Sequence, residues 1–313
     1  MEFRDWAVAA LGLPSNIDSA IEMTLQLAAK SVSALNGAAS RLDEETMTGA
    51  MIGALVSAHP MSAASYPADP ETAIRWSSYT KYGNAVQSER NSGADFALVL
   101  SLPGGDLRLA VFQAKSDWSV SSKKNTLVIG QIKDVPEVKD ENEVVIVPAG
   151  RRNQVDALVR ASNKIQFNKV RTTVHNLTWV HYLCQFESGI KALALSEVQA
   201  AVRASIRRNK AVRVHLAPSD GKELGLLLKQ GCVVGGHGWL DMSGIGNGVV
   251  PPEIDLSALV DLMPVVIGRD GSAGPLFKMG PDVMVVDLSK PLLDIPEPAP
   301  IPTKTRTIVP KRK

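Results

Sequence analysis

Two apolar runs, Phe96–Leu100 and Leu109–Phe112, constrain this chain more than any other feature. Five consecutive apolar residues from Phe96 to Leu100 read as a central strand buried on both faces. Pro103-Gly-Gly-Asp106 is a turn, so Leu107–Lys115 follows as the partner strand. Asp95 opens the first run, and Gln113 and Lys115, two apart, close the second. Residues two apart on a strand point to the same face. Adjacent strands would therefore aim a carboxylate, an amide oxygen and an ammonium at one spot. That set can hold a divalent metal and activate a water.

The rest of the sequence supplies the frame for this hairpin. At 313 residues the chain is long enough for two domains. Its 45% hydrophobic and 21% charged content is that of a soluble globular protein. No apolar run reaches the ~18 residues of a membrane helix, and the first residues do not read as a signal peptide. No membrane partner is expected. Cys184 and Cys232 are far apart and lack the close neighbours of a zinc site, which favours reduced thiols and a cytoplasmic location over a disulfide.

Charge is unevenly spread. Residues 1–100 hold 6 Lys+Arg against 11 Asp+Glu, while residues 101–200 hold 13 against 10 and residues 201–313 hold 15 against 11. A basic later part suits a polyanionic partner, and an acidic early part suits a metal. Taken singly, each basic cluster reads equally well as solvated surface.

Helical spacing of apolar residues predicts a helix over 15–38, ended by Asn36-Gly37, and another from Asp43 to Ala58, stopped by His59-Pro60. Residues 60–72 read as loop and 74–82 as a strand. After the hairpin, Leu127–Val135 reads as a short helix and Glu143–Val147 as a buried strand. The order helix, three strands, helix, strand is a mixed α/β layout around one central sheet. Further on, a helix is expected over 151–165, a strand over Leu177–Phe186 and a long helix over Ala192–Asn209, with Ser196 and Glu197 inside it. Short apolar runs broken by glycine fill residues 211–290 and point to no particular fold. From Pro291 the chain carries five prolines in a dozen residues, and it ends on Lys311-Arg-Lys313. The expected division is thus 1–150, a C-terminal α/β module over 151–290, and a Pro-rich basic flexible tail over 291–313.

Asp95 followed by Gln113-Ala-Lys115 resembles the PD-(D/E)xK nuclease superfamily, in the QxK form of its Mrr-like branch and of bacterial defence nucleases. Gly93-Ala-Asp95 before the first core strand is common in that superfamily. Glu44-Glu-Thr-Met-Thr-Gly49 resembles the upstream helix that adds a metal-facing acid. The residue four before the Thr-Gly pair is Glu44, with Glu45 held in reserve, and Glu44 shares a helix face with Met47 and Met51. The resemblance implies a restriction-endonuclease-like core and a Mg²⁺- or Mn²⁺-dependent deoxyribonuclease acting in antiviral defence. It implies Glu44, Asp95, Gln113 and Lys115 as catalytic residues, with Glu44, Asp95, Gln113 and the Ala114 carbonyl as metal ligands. DNA is then the substrate, and a homo-oligomer and a partner NTPase or helicase are further expectations. The sequence departs from the commoner acidic motif in having Gln113, which weakens metal binding. A catalytically degenerate nucleic-acid-binding or regulatory subunit is therefore the alternative.

Other candidates carry weaker signals. Arg90, Gln131 and Lys133 are placed to touch phosphate, and Trp118 to stack on a base. Gly235-Gly-His-Gly-Trp239 lacks both phosphate-loop patterns and reads as plain loop. Ser121-Ser-Lys-Lys124 contains SxxK without companion motifs. His175 and His181 lie outside any ligand cluster.

Overall fold

A computed structural model describes residues 3–38, 43–66, 73–77, 92–102, 106–117, 125–135, 137–139, 142–165, 173–186, 189–233, 235–242, 253–255, 259, 263, 265–269, 276–278 and 285–287. The fold is mixed α/β with a mixed central sheet and, among the described residues, six α-helices. The helices are α1 (Phe3–Leu11), α2 (Ala20–Ala38), α3 (Glu44–Ser65), α4 (Gln154–Ile165), α5 (Gln199–Arg208) and α6 (Leu224–Gly231).

The hairpin forms the middle of the sheet. Strand β2 (Phe96–Ser101) pairs antiparallel with β3 (Leu107–Ser116), in register from Phe96↔Phe112 to Ser101↔Leu107, and the Leu102 N–H donates to the Asp106 carbonyl across the turn. The sheet continues on both sides. Beyond β3 lie β9 (Val180–Phe186), parallel to it, then β10 (Gly189–Ala194) and β12 (Lys222–Glu223). Beyond β2 lie β15 (Val265–Arg269), parallel to it, then β1 (Ala73–Ser77) and β17 (Val285–Asp287). A ninth strand, β13 (Leu240–Asp241), pairs with the start of β3. The sheet therefore takes strands from both sides of residue 150, where the sequence suggested a boundary.

Alternation along β2 and β3 feeds two cores. Ala97, Val99, Leu109 and Val111 join Val155 and Leu158 of α4 and Val202 of α5 on one face. Phe96, Leu98, Leu100 and Phe112 join Ile21 and Leu25 of α2, Met47 and Met51 of α3 and Leu227 of α6 on the other. Helices on both faces explain why these strands are apolar throughout.

Several expectations are corrected. The first helix begins at Ala20, and Phe3–Leu11 forms a helix of its own. Helix α3 passes Pro60 and ends at Ser65. Ala58 packs with Ala7 and Leu13 in a small satellite core, so tertiary contact outweighs the proline's lost hydrogen bond. Leu127–Val135 is not a helix but two strands, β4 (Thr126–Ile129) and β5 (Ile132–Val135). They pair with β11 (Val212–His215) and β8 (Gly150–Asn153). Gly130 separates them at φ +70, and a Cβ there would meet Ser205 Oγ at 2.0 Å.

Val145–Val147 is β7, paired with β6 (Val138–Lys139) in a separate ribbon, and Val144 and Val145 are exposed. The helix expected over 151–165 is α4, and the strand expected over Leu177–Phe186 is the buried β9. The long helix expected from Ala192 is β10, a turn holding Ser196 and Glu197, and α5. Ile190, Ala192 and Ala194 alternate inward, which is a strand pattern. Strands β14 (Glu253–Asp255) and β16 (Leu276–Lys278) form a further parallel pair. The strand expected over 74–82 ends at Ser77 in the structure, with its remainder outside the described residues, as are Arg90, Trp118, Ser121–Lys124 and the tail.

Ile267 of β15 is buried in the core that β2 and β3 share. Ile267→Ala should destabilise the protein by about 2–4 kcal/mol. Urea unfolding measures this, and a variant as stable as the parent would place β15 outside the cooperative core.

Candidate active site

Strand β3 is longer than β2, so its last residues run past the β2 register. The β2 register ends at Phe96↔Phe112, while Gln113–Ser116 continue paired to β9. The segment 92–95 and the first turn of α3 close the other edge. Here the side chains named from the sequence meet.

Asp95 continues the ladder by one bond, its N–H donating to the Phe112 carbonyl at 2.9 Å. Its Oδ2 then accepts the Ala114 N–H at 2.5 Å. The carboxylate thus sits on the backbone between Gln113 and Lys115. The Gln113 amide donates through Nε2 to the Gly93 carbonyl. This fixes the amide orientation and leaves Gln113 Oε1 buried with no hydrogen-bond partner among the described residues. Lys115 is 2% exposed, and its Nζ lies 3.1 Å from Glu44 Oε2. Burying an ammonium is costly unless it is paired, so this contact ties α3 to the strand end.

Local structure explains the positions. Asp43 caps α3, its Oδ1 accepting the Thr46 N–H at 2.7 Å. Glu44 and Glu45 follow in the first turn, where the helix dipole favours negative charge. Glu44 points to Lys115, whereas Glu45 is exposed. Gly93 has φ +72, and a Cβ on it would lie 2.3 Å from the Gln154 carbonyl oxygen. Only glycine lets this turn press against the start of α4 while offering its carbonyl to Gln113.

The strand alternation continues to Asp117, which the sequence reading missed. It is 1% exposed, its Oδ2 accepts the Asn125 N–H at 2.8 Å, and its Oδ1 has no hydrogen-bond partner among the described residues. The visible signal was Gln113, Lys115 and Asp117 at spacing two. Cys184, opposite Lys115 in the β9 register, is a buried free thiol, and burial pushes its pKa up, away from thiolate chemistry. Neither Cys184 nor Cys232 is in a disulfide among the described residues, and the Cys232 thiol donates to the Leu228 carbonyl.

The weaker candidates fall elsewhere. Gln131 lies in the turn between β4 and β5, its carbonyl accepting the Gln154 N–H, and Lys133 is on β5. His175 is exposed in a short 3₁₀ turn. His181 is buried on β9 with Nε2 2.7 Å from the Gly238 carbonyl oxygen. A basic groove of about 660 Å³ runs along α4 and the end of β8, lined by Arg151, Arg152, Arg160 and Lys164.

Among the described residues no three His, Cys, Asp or Glu side chains cluster as a metal site, and no helix is long and apolar enough to cross a membrane. The donors at the strand end are of another kind: two carboxylates, an amide oxygen and a peptide carbonyl. All are hard oxygens of the sort magnesium takes. The unpartnered Gln113 Oε1 fits that role. The chain matches no family model, no curated protein and no solved structure.

Two measurements test this geometry. Gly93→Ala should cost more than about 2 kcal/mol in denaturant unfolding, because φ +72 and the close carbonyl both oppose a side chain. A neutral result would mean the turn is not pressed on α4. The second concerns His181, whose pKa falls to about 4 through burial, helped by Lys222 and opposed by the bond to Gly238. Its folded pKa lies below the unfolded 6.5, so the unfolded state binds more protons between these values. Stability should be full above pH 6.5 and fall toward pH 4, by up to about 1.4 kcal/mol per pH unit. His181→Asn should flatten that slope, and an unchanged slope would assign it to other groups.

Proposed function

We propose that this chain is a divalent-metal-dependent DNA endonuclease with a restriction-endonuclease-like core. The observation that carries this reading is the meeting of Glu44, Asp95, Gln113 and Lys115 at one strand end: Lys115 ion-paired to Glu44, Asp95 bonded to the Ala114 N–H, and Gln113 Oε1 unpartnered. The β2–β3 hairpin, the α4 crossover and the parallel strand β9 supply the frame such a core needs. The resemblance of Asp95 and Gln113-Ala-Lys115 to the PD-(D/E)xK superfamily supports the same reading.

Glu44, Asp95, Gln113 Oε1 and the Ala114 carbonyl would hold Mg²⁺ or Mn²⁺. When bound, the ion polarises the phosphoryl oxygen and acidifies a water. The chain's own groups do the rest. Lys115 holds positive charge where negative charge grows on the phosphate. Glu44, 3.1 Å from that ammonium, keeps it oriented and accepts a hydrogen bond from the attacking water. Water oxygen joins phosphorus, the bridging P–O bond breaks, and the leaving oxygen takes up the proton. The basic groove beside α4 would follow the DNA backbone, since Gly93 packs on the first turn of that helix. A defence role, a cytoplasmic location, a homo-oligomer and a partner NTPase or helicase extend this proposal through the resemblance alone.

The amide at position 113 favours a second reading, a DNA-binding regulatory subunit without cleavage. Incubation of the purified chain with supercoiled plasmid and Mg²⁺ or Mn²⁺ separates the two. Nicked and linear products that EDTA abolishes are expected, with Lys115→Ala and Asp95→Ala each slowing cutting by about 100-fold or more. Cutting that survives both substitutions removes these residues from the mechanism. DNA retention that weakens steeply with salt, with no cutting by the parent chain, establishes the second reading.

A further inference from the structure

The Gly235–Trp239 segment, a plain loop by sequence, closes a cavity of about 420 Å³ against β9, β10 and β12. This volume lies within the range of small-molecule pockets. The cavity shares no residue with the site around Lys115.

Two buried polar side chains line it. Arg108 is 1% exposed, and its Nη2 donates to the Gly236 carbonyl at 2.5 Å, while its Nε and Nη1 have no hydrogen-bond partner among the described residues. A guanidinium cannot shed its proton, so this is a buried positive charge short of acceptors. His181 is 3% exposed. The Gly238 carbonyl can only accept, so the Nε2 bonded to it carries the hydrogen. Nδ1 is then a lone-pair acceptor, and it too has no hydrogen-bond partner among the described residues. Both residues line the cavity, and each keeps a buried nitrogen without a hydrogen-bond partner among the described residues.

The loop that brings its carbonyls to these side chains is built for close approach. A Cβ at Gly236 would fall 1.9 Å from the Gln230 carbonyl oxygen, and one at Gly238, whose φ is +89, would fall 2.6 Å from Leu227 Cδ1. Lys222 stands at the wall, its Nζ donating to Gln230 Oε1 at 2.9 Å. Glu197 and Asp241 are exposed residues of the lining.

We propose that this cavity binds a small phosphate monoester carrying hydroxyl groups, a sugar phosphate or a mononucleotide, with its phosphate on Arg108 and Lys222 and a hydroxyl on His181. A phosphate has terminal oxygens on several sides and so can meet donors from different directions, as Arg108 and Lys222 present them. A neutral imidazole suits a hydroxyl, not a second anion. Glu197 and Asp241 would repel a nucleic-acid chain while accepting hydrogen bonds from a sugar. This separates the cavity from the open basic groove along α4. The inference stands independently of the nuclease reading, because its test is binding.

Calorimetry on the full chain decides it, with ribose 5-phosphate, AMP, inorganic phosphate and ribose as probes. Both organic phosphates should bind with Kd below about 1 mM, inorganic phosphate about tenfold more weakly, and ribose not at all. A preference between the first two identifies the source of the phosphate, and either supports the site. Arg108→Lys should weaken binding about tenfold and Lys222→Gln about threefold, while Arg151→Gln in the basic groove should leave it within about twofold. Lys222 is only partly buried, so its variant decides the matter if Arg108→Lys does not fold. Absence of binding by both organic phosphates, binding of ribose as tight as theirs, or an unchanged affinity in Lys222→Gln would overturn the proposal.

Discussion

The structure depends on the burial of β3 along its whole length. Its ten residues carry a side chain to each core in turn, and only the last is not buried. Its edges are occupied by β2 on one side and by β13 and β9 on the other. A strand held on every side cannot slip register without inverting both cores. The polar residues at its end are therefore held as firmly as its apolar ones. That is why a lysine can be buried there, provided a carboxylate from another element comes to meet it.

That carboxylate comes from α3, and the geometry follows from the unequal strand lengths. Because β2 stops at Phe96, the overhang of β3 is open to a helix end and a tight turn. Gly93 lets the turn reach in, Asp43 and the helix dipole favour Glu44 at the helix start, and Asp95 extends the ladder by a side chain in place of a backbone group. Three local devices, a left-handed glycine, an N-cap and a side-chain ladder bond, converge on one spot. The cavity under the Gly235–Trp239 loop is made by similar means at the opposite end of β3, where Arg108 leaves the strand.

The hairpin was legible because its signals are local and strong. A continuous apolar run, a Pro-Gly-Gly-Asp turn and polar residues at spacing two need no tertiary information. Helices α2 and α3 were legible from their apolar stripes, but their ends were not. Pro60 lies inside α3 because distant α1 packs there, and no local rule contains that contact. Leu127–Val135 and Ala192–Asn209 failed for another reason. Short apolar runs rich in β-branched residues or alanine fit either period, and strand pairing decides: β11, far along the chain, for the first, and β9, the strand just before it, for the second. Asp117 was missed although its spacing continued the motif, since an acid after a strand end is ordinarily a solvated turn residue.

By itself the sequence determined a buried hairpin, the face on which Asp95, Gln113 and Lys115 would lie, and the helix that carries Glu44. Alternation and helical periodicity are properties of neighbouring residues, so they can be read without the fold. Only the tertiary structure decided that Glu44 reaches Lys115, that β9 and β15 flank the hairpin, and that Arg108, His181 and a glycine loop enclose a cavity. Those are contacts between residues more than fifty positions apart. They exist because both faces and both edges of the sheet must be covered, and which distant segment covers each is settled by packing, not by local pattern.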